Sequence, residues 1–313
     1  MRLFLRVLRW AFIVILVVFA GLLTAAHWIE SRDSDAELAE KFRDAPVQPV
    51  IHRYTVGDRT IRYMATEEPG RDSLPVVLFV HGAPSSLSFF TNFFKDTTLL
   101  NRARLVAVDR PGYGYSDFGR VETSIIKQAR LLQPLIERYK KAAYFMIVGS
   151  SYGGSVSARL AMNNPNIIDH VVFVSSALGP GLERTYPISH VVDQPPLRWL
   201  VPPLLRLAND EKLAHRKALT EILPDWPKIK ASVTFLHGQR DDLVFPTNVS
   251  FGRSHLINAQ SKEFLLPENR HDIVFNKREY MTEIIVNILN SYVQSVKPQP
   301  IPVKSYITAT RYR

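Results

Sequence analysis

Short apolar runs alternate with longer amphipathic stretches along most of the chain, from residue 51 to residue 296. The short runs are typical of buried strands and lie at 75–80, 105–108, 143–148, 171–174, 233–236 and 264–266. Helical periodicity falls between them, at 87–94, 124–139, 151–162 and 278–293. This alternation predicts an α/β fold in which helices cover both faces of a mostly parallel sheet. The ligand site is then expected at the carboxyl ends of the strands.

Two intervals depart from this rhythm. Residues 51–56 and 59–65 flank Gly57-Asp58 and predict a β-hairpin. Residues 180–230 contain no strand-like run and are rich in proline. Because unstructured loops of this length are uncommon in compact domains, we predict a small helical cap over the strand ends. Several leucines give the cap an apolar surface, which either packs as core or faces a hydrophobic substrate.

The N-terminal segment between Trp10 and Trp28 has no charged residue when His27 is neutral. At about 1.5 Å per residue a helix over 10–28 reaches roughly 28 Å, close to the hydrocarbon thickness of a bilayer. The tryptophans fit the aromatic belts of the two interfaces. A transmembrane anchor is therefore predicted at 10–28. The alternative is a cleaved signal peptide, for which Thr24-Ala25-Ala26 offers a weak cleavage site.

The charges at the two ends explain most of the formal net charge of +10. Seven cations lie in residues 1–9 and 297–313, which contain no acid, and this leaves 32 basic residues against 29 acidic ones in between. A nucleic-acid groove would need clustered charge on the folded body, so no nucleic-acid partner is expected. Arginines before the anchor and acids after it predict a cytoplasmic N-terminus and an extracytoplasmic body. This body would be periplasmic in a Gram-negative bacterium, or secreted if the segment is cleaved.

The chain contains no cysteine. This excludes a disulfide scaffold, a thiol nucleophile and a cysteine-ligated metal site.

The strongest chemical signal is the run 149–153, Gly-Ser-Ser-Tyr-Gly, which follows a predicted strand and opens a predicted helix. A G-x-S-x-G turn in this context is a nucleophile elbow. The turn is too tight for side chains at its flanking positions, and it lifts the hydroxyl of Ser151 clear of the sheet. Ser150 does not fit the spacing. Ser151 is therefore the predicted nucleophile.

A serine hydroxyl needs a base, and the base needs an acid that orients it. In elbow folds they follow in the order Ser, Asp or Glu, His. The loop after 233–236 contains Asp241 and Asp242, and the loop after 264–266 contains His271. We predict Asp241 as the orienting acid, with Asp242 as its rival, and His271 as the base. Other histidines are interpreted as surface or capping residues, namely His52, His170, His190, His215 and His255.

Two backbone N–H groups are predicted to form the oxyanion hole. One belongs to Tyr152, directly after the nucleophile, and the other to the loop after 75–80. In that loop Gly82 permits a backbone path that turns an N–H inward, and Ala83 supplies the expected donor. Pro84 cannot donate, and His81 is expected to hold the loop.

Five ordered motifs together resemble the α/β-hydrolase superfamily, in its serine-nucleophile branch. They are His81-Gly82-Ala83-Pro84, the turn 109–116 (DRPGYGYS), Gly149-Ser150-Ser151-Tyr152-Gly153, Gly238-x-x-Asp241 and His271. The resemblance covers 51–296 and implies an eight-stranded sheet, a cap at 180–230, a structural role for the 109–116 turn, and hydrolysis without metal or cofactor. Serine at the elbow argues against the dehalogenase and epoxide hydrolase branches.

These observations predict a membrane-anchored serine hydrolase that acts on an ester-type, hydrophobic acyl substrate. The predicted segments, in chain order, are a basic N-terminus (1–9), an anchor (10–28), a stalk (29–50), the hydrolase domain (51–296) and a basic tail (297–313). Two alternatives remain open: an acyltransferase or another carbonyl hydrolase on the same triad, or a non-catalytic membrane-bound binding protein.

Overall fold

The computed structural model describes residues 32–67 and 74–296, together with scattered positions between residues 4 and 21. These residues form one sheet of eight strands in the order β1-β2-β4-β3-β5-β6-β7-β8. The strands are β1 (Val50–Val56), β2 (Arg59–Ala65), β3 (Val76–Val80), β4 (Arg104–Val108), β5 (Phe145–Ser150), β6 (His170–Val174), β7 (Ser232–Gly238) and β8 (Ser261–Leu266). β2 pairs antiparallel with β1 and β4, and all other neighbours are parallel. The predicted α/β-hydrolase fold class is confirmed.

Helices connect the parallel strands and build the cap. They are α1 (Asp35–Lys41), α2 (Thr97–Leu100), α3 (Ile125–Tyr139), α4 (Tyr152–Asn163), α5 (Pro187–Val192), α6 (Leu197–Leu200), α7 (Pro203–Ile222), α8 (Thr247–His255), α9 (Ile273–Asn276) and α10 (Arg278–Val296). Three short 3-10 helices lie at Leu87–Phe90, Phe93–Lys95 and Leu223–Lys228.

Two apolar clusters lie on opposite faces of the sheet because side chains along a strand alternate between its faces. In β3 the odd and even positions separate cleanly: Val76, Leu78 and Val80 join one cluster, whereas Val77 and Phe79 join the other. Every residue of β3 is buried, as expected for a central strand that helices cover on both sides. The sheet is therefore rigid where β3 and β5 end, at the loops that carry the candidate site.

Several predicted boundaries differ from the structure, and the strand predicted at 264–266, for example, begins at Ser261. The stretch 87–94, predicted as one helix, forms two 3-10 helices instead, with the Ser86 hydroxyl capping the first of them. The strand predicted at 143–148 begins and ends two residues later. Its last residues, Gly149 and Ser150, still pair with Val80 of β3 and Val174 of β6, so cross-strand pairing extends the strand to the elbow.

The predicted stalk packs against the body from Arg32 onward. Ser34 and Glu37 form a capping box that begins α1. Leu38 and Phe42 are almost fully buried in the cluster that contains Val77 and Phe79. This segment is therefore part of the folded body and differs from the extended spacer that its polar composition suggested, because a few apolar residues at helical spacing suffice to dock it.

The 180–230 interval is helical and contains α5, α6 and α7. The predicted anchor at 10–28 and the basic tail at 297–313 lie largely or wholly outside the described residues. Within the part of the chain that is described, no helix is both long enough and apolar enough to span a bilayer.

Candidate active site

The nucleophile elbow joins β5 to α4 through Ser151. Its backbone adopts φ 52° and ψ −122°, a conformation that L-residues rarely occupy. A Cβ on Gly149 would lie 2.4 Å from Ser157 Oγ, and one on Gly153 would lie 2.2 Å from the carbonyl oxygen of Val80. Both glycines are required because α4 packs directly against the strands, and the tight turn presents the Ser151 hydroxyl at the sheet edge.

The structure brings the three predicted triad residues together from three separate loops. Ser151 Oγ lies 3.0 Å from His271 Nε2. His271 Nδ1 lies 2.8 Å from Asp241 Oδ2. These distances allow the hydroxyl to give a proton to the imidazole while the carboxylate fixes the orientation of the ring.

Asp241 is fully enclosed and is saturated with hydrogen bonds. Its Oδ1 accepts the N–H groups of Leu243 and Val244 at 3.0 and 2.9 Å. Burial tends to raise the pKa of this carboxyl, but hydrogen bonds from His237 and His271 outweigh burial and hold the pKa well below its usual range. The side chain is therefore a carboxylate that accepts the Nδ1–H of His271.

The rival acid, Asp242, points elsewhere. Its side chain is 47% exposed and lies 3.8 Å from the guanidinium groups of Arg184 and Arg270. Asp241, not Asp242, is the carboxylate beside His271. The contact of His237 with Asp241, at 3.3 Å, was not foreseen, although the sequence places the two residues four positions apart.

The predicted oxyanion donors lie on either side of the nucleophile. Ala83 and Tyr152 both line a cavity with Ser151, and neither backbone N–H donates a hydrogen bond within the described residues. A Cβ on Gly82 would lie 2.9 Å from Ser151 Cβ, so the loop can approach the elbow only with glycine there. Two unpaired N–H groups beside a serine hydroxyl can stabilise a developing negative oxygen.

A buried histidine and arginine brace this loop. His81 Nε2 accepts the backbone N–H of Arg110, so Nδ1 carries the proton and donates to the Gly82 carbonyl at 2.7 Å. Burial, with the nearby Arg110 charge, lowers the pKa of His81 well below its usual value. The Arg110 guanidinium donates to the carbonyls of His81 and Gly82. His81 thus has the predicted loop-holding position.

The 109–116 turn is held by a buried carboxylate. Asp109 accepts the backbone N–H groups of Leu87 and Tyr115 at 2.7 and 2.9 Å. Burial raises the pKa of Asp109 to about 6, although these bonds and Arg62 favour its charged form. Gly114 has φ +54°, and a Cβ there would lie 2.1 Å from Asp109 Cγ. The turn is therefore a buried structural element whose backbone is held by Asp109.

A second buried cluster connects the oxyanion loop to the cap. Arg110 forms two hydrogen bonds with Glu211 of α7, at 2.7 and 3.0 Å. Glu211 also accepts hydrogen bonds from Tyr113 and Gln128. Because a buried charge is costly unless it is paired, this cluster fixes where α7 crosses the loop. We did not foresee Glu211 from the sequence.

His215 is also misjudged by the sequence interpretation, since it is buried and lies next to the site. It contacts Ser155 Oγ at 2.9 Å and Glu183 at 2.7 Å, and its ring stacks on Tyr152 at 4.3 Å. The sequence contains a signal that could have identified His215 as buried. Glu211 and His215 lie in a stripe of buried α7 residues at helical spacing, whose other members are Leu204, Leu207, Ala218, Leu219 and Ile222. His170, 8% exposed, is likewise buried and not a surface residue.

Two cavities of different character meet at Ser151. A cleft of about 460 Å³ is lined by Ser151, His271, the loop after β3 and an apolar wall that includes Phe89, Val274 and Phe275. The same wall continues into a further cavity of about 500 Å³. The second pocket at Ser151 has a volume of about 170 Å³ and lies under the cap, where Glu183, Lys212 and His215 make it polar. Charged side chains also line the larger cleft, namely Arg32, Asp33 and Lys41, so the two cavities differ in size and in the aromatic wall of the larger one. Within the described residues, no cluster of three or more His, Asp or Glu side chains could hold a metal ion.

The comparisons with known proteins agree with the fold. Residues 75–209 match the sequence model of a family described as alpha/beta hydrolase fold. A candidate lipase of Acinetobacter baumannii superposes with a TM-score of 0.64 at 18% identity, over 85% of this chain and 99% of the other. A membrane phospholipase A, described as a bacterial virulence factor, superposes with a TM-score of 0.57 at 19% identity, over 94% and 99% of the two chains. The described residues therefore have the α/β-hydrolase fold, and residues 75–209 match the sequence model of that family.

One curated relative is a plant enzyme of a different reaction class. The chain is 31% identical over 113 residues to a 1-acylglycerol-3-phosphate O-acyltransferase of Arabidopsis thaliana. The match covers 34% of this chain and only about a quarter of the relative, 26%. The family match over residues 75–209 and this relative support the prediction that the chain is an enzyme.

Proposed function

We propose that the protein is a membrane-anchored serine hydrolase that cleaves an ester with a hydrophobic acyl chain. The observation that carries the proposal is the continuous relay from Ser151 Oγ through His271 to the buried Asp241, at 3.0 and 2.8 Å. A serine paired in this way with an imidazole and a carboxylate is the arrangement that acyl transfer to serine needs.

In the proposed reaction, Ser151 Oγ attacks the ester carbonyl carbon as His271 Nε2 takes the hydroxyl proton. The carbonyl oxygen becomes an anion that accepts hydrogen bonds from the N–H groups of Ala83 and Tyr152. His271 then gives its proton to the leaving alkoxide, which departs as an alcohol. A water molecule, deprotonated by His271, repeats the attack on the acyl-enzyme, releasing the acid and restoring Ser151.

The aromatic wall of the larger cavity favours a hydrophobic acyl group. The cleft beyond Ser151 is walled by Phe89, Val274 and Phe275 and continues into the next cavity, so it can accommodate an extended chain. The pocket under the cap is smaller and contains Lys212 and Glu183, which suits hydrogen-bonding groups. The name of the membrane phospholipase A neighbour is consistent with a lipid-like substrate.

Membrane anchoring rests on the uncharged segment at 10–28. Several of its described residues are exposed apolar side chains, which are Trp10, Val14, Val17 and Val18. Exposed apolar surface of this kind marks a contact with lipid or protein. Arginines on the N-terminal side of the segment place the N-terminus in the cytoplasm and the catalytic domain outside it.

The proposal is tested by Ser151→Ala in the full-length protein. Because the hydroxyl is the nucleophile, we expect hydrolysis of p-nitrophenyl esters to fall by at least about 10⁴-fold and labelling by a fluorophosphonate probe to disappear. Ser291→Ala, which changes an exposed serine on α10, should leave both readouts unchanged. Undiminished labelling of Ser151→Ala would refute the assignment of the nucleophile, and absence of labelling in the wild type would favour a non-catalytic binding protein.

A second candidate is acyl transfer to an alcohol on the same residues, which the acyltransferase relative favours. It differs from hydrolysis only in whether an alcohol or water attacks the acyl-enzyme. An assay with glycerol or a monoacylglycerol as acceptor, with both free acid and ester product quantified, separates the two reactions. Ester as the major product would replace hydrolase with acyltransferase.

A further inference from the structure

Two cap helices expose apolar side chains to an unusual degree. Neither α5 nor α6 contains a buried residue. Ile188 of α5 and Trp199 of α6, both apolar, are 60% and 70% exposed. The large apolar residues exposed on and beside these helices, called the cap face below, are Ile188, Val191, Leu197, Trp199, Leu200 and Leu205. A cap that functioned only as a lid in water would turn such side chains inward, towards the core.

The polar residues between these side chains hold the two helices in place. Arg198 of α6 pairs with Asp193, at the end of α5, and with Asp210 of α7, each at 2.6 Å. The Asn209 side chain donates to the Ser189 carbonyl. Because these contacts attach α5 and α6 to α7, the side chains of the cap face have a fixed arrangement on the surface.

The chain enters the body next to this surface and to the cleft. Arg32 donates to the Gly114 carbonyl at 2.8 Å, and its guanidinium lies 4.1 Å from the Phe118 ring centroid. The backbone of Asp33 is fixed on both sides, since its N–H donates to Ser88 Oγ and its carbonyl accepts from Arg62. Arg32 and Asp33 also line the cleft that contains Ser151.

The tether between the anchor and this point is very short. Only residues 29–31 separate Trp28, the last residue of the proposed membrane segment, from Arg32. Even when fully extended, the four steps from Trp28 to Arg32 span at most about 14 Å. If residues 10–28 span the bilayer, the rim of the cleft lies within that distance of the membrane interface.

The point of entry and the cap face are joined by direct packing. Phe118, which contacts Arg32, packs against the cluster of Tyr113, Leu204 and Leu207. Leu204 and Leu207 belong to the first turns of α7, only a few residues after Trp199 and Leu200. The cap face is therefore connected, through Leu204 and Leu207, to the part of the body where the tether enters.

From these observations we infer that the cap face docks on the lipid bilayer in which the anchor lies, so that the cleft opens at the membrane surface and receives its acyl substrate from the bilayer. This inference rests on the proposed membrane anchoring and extends it from attachment to orientation. Trp199 would lie at the interface, where tryptophan is favoured, and the aliphatic side chains would be buried among the acyl chains.

The direct test uses the full-length protein reconstituted in phosphatidylcholine vesicles with brominated acyl chains, which quench tryptophan fluorescence on contact. The emission of Trp199 is obtained as the difference between the wild type and Trp199→Phe. Docking predicts that brominated lipid reduces this difference by at least about twofold. An unquenched Trp199 in protein that floats with the vesicles would refute the docking, whereas protein that does not float would refute the anchoring beneath it.

A functional test compares two assays of the double variant Ile188→Ser/Trp199→Ser. We expect hydrolysis of a long-chain ester embedded in vesicles to fall by about tenfold, while hydrolysis of a soluble p-nitrophenyl ester and fluorophosphonate labelling stay within about twofold. The matched control is Ile257→Ser, since Ile257 is 70% exposed and follows α8 at the opposite end of the sheet.

The same two assays separate the failure of this inference from the failure of the proposed function. If the wild type did not hydrolyse the soluble ester, the proposed hydrolase function would be refuted. The docking would not be refuted by this result, because quenching of Trp199 requires no catalysis. The docking would be overturned if the double variant lost as much activity on the soluble ester as on the vesicle ester, or if Ile257→Ser had the same effect as the double variant. It would also be overturned if cross-linking showed that the cap face is buried in a dimer.

Discussion

The floor and the cap of the active site are built in opposite ways. The floor consists of the loops after β3, β5, β7 and β8, and the side chain of Asp241, the proposed orienting acid, is completely enclosed. The cap touches this floor through α7, while α5 and α6 contain no buried residue. The side chains that must lie about 3 Å apart are on loops whose backbone is fixed by the parallel strands. The exposed apolar surface is on the cap, which has no sheet beneath it.

Two polar clusters connect these parts, and both involve residues around the proposed oxyanion hole. Arg110 braces the His81–Gly82 carbonyls and pairs with Glu211 of α7. His215 of α7 stacks on Tyr152, the other proposed donor. The cap is therefore attached at the points where a shift would displace the oxyanion donors, and the comparison predicts different results for substitutions in the floor, in the connection and in the cavity walls.

The largest effect is expected in the floor. Asp241→Asn removes the carboxylate that orients His271 and favours the wrong tautomer of its ring, so kcat should fall by about 10³- to 10⁴-fold. Asp242→Asn is the matched control, because Asp242 lies beside Arg184 and Arg270, and it should stay within about twofold. Steady-state hydrolysis of a soluble ester measures both. A larger loss in Asp242→Asn would exchange the roles of the two acids.

An intermediate effect is expected where floor and cap connect. Glu211→Ala leaves the buried Arg110 without its partner, which should lower the free energy of unfolding by about 3–5 kcal/mol. Glu221→Ala, on the exposed side of the same helix, should change it by less than about 0.5 kcal/mol. Urea unfolding followed by fluorescence provides the comparison. Equal stabilities of the two variants would mean that Glu211 does not fasten the cap.

The smallest effect is expected in the cavity walls. Phe275 is 70% exposed and packs edge-on against Phe89 at 4.5 Å. Phe275→Ala removes apolar surface from the proposed acyl cleft, so kcat/KM for a dodecanoyl ester should fall by about tenfold relative to a butyryl ester. Leu243→Ala, in the small pocket under the cap, should change both esters alike. The opposite pattern would reverse the assignment of the two cavities.

Much of the floor could be predicted from local sequence because each of its parts is a local steric requirement. The glycines of the elbow follow from the close approach of α4 to the strands, and a hydroxyl at that turn points to Ser151. The chain order of acid and base then led to Asp241 and His271. The strands could be predicted because their apolar runs are buried on both faces, which leaves a signal in composition alone.

The parts that could not be predicted depend on contacts between distant segments. Nothing near Glu211 indicates Arg110, about a hundred positions away along the chain, and His215 resembles a surface residue until α7 is seen to turn it onto Tyr152. The docking of residues 32–50 was missed for the same reason, because Leu38 and Phe42 are apolar residues in a polar segment and their partners, such as Phe94, are distant in the chain.

By itself, the sequence determined the fold class, the elbow and the three residues at its centre, since strand burial and tight-turn sterics are written in neighbouring positions. Only the tertiary structure decided which of two adjacent aspartates faces His271, how the cap is fastened, and that a large cleft with an aromatic wall and a smaller pocket under the cap meet at Ser151. Those properties depend on side chains that meet across loops and layers, where the energy of a buried charge or an apolar wall is set by its partners and not by its position in the chain.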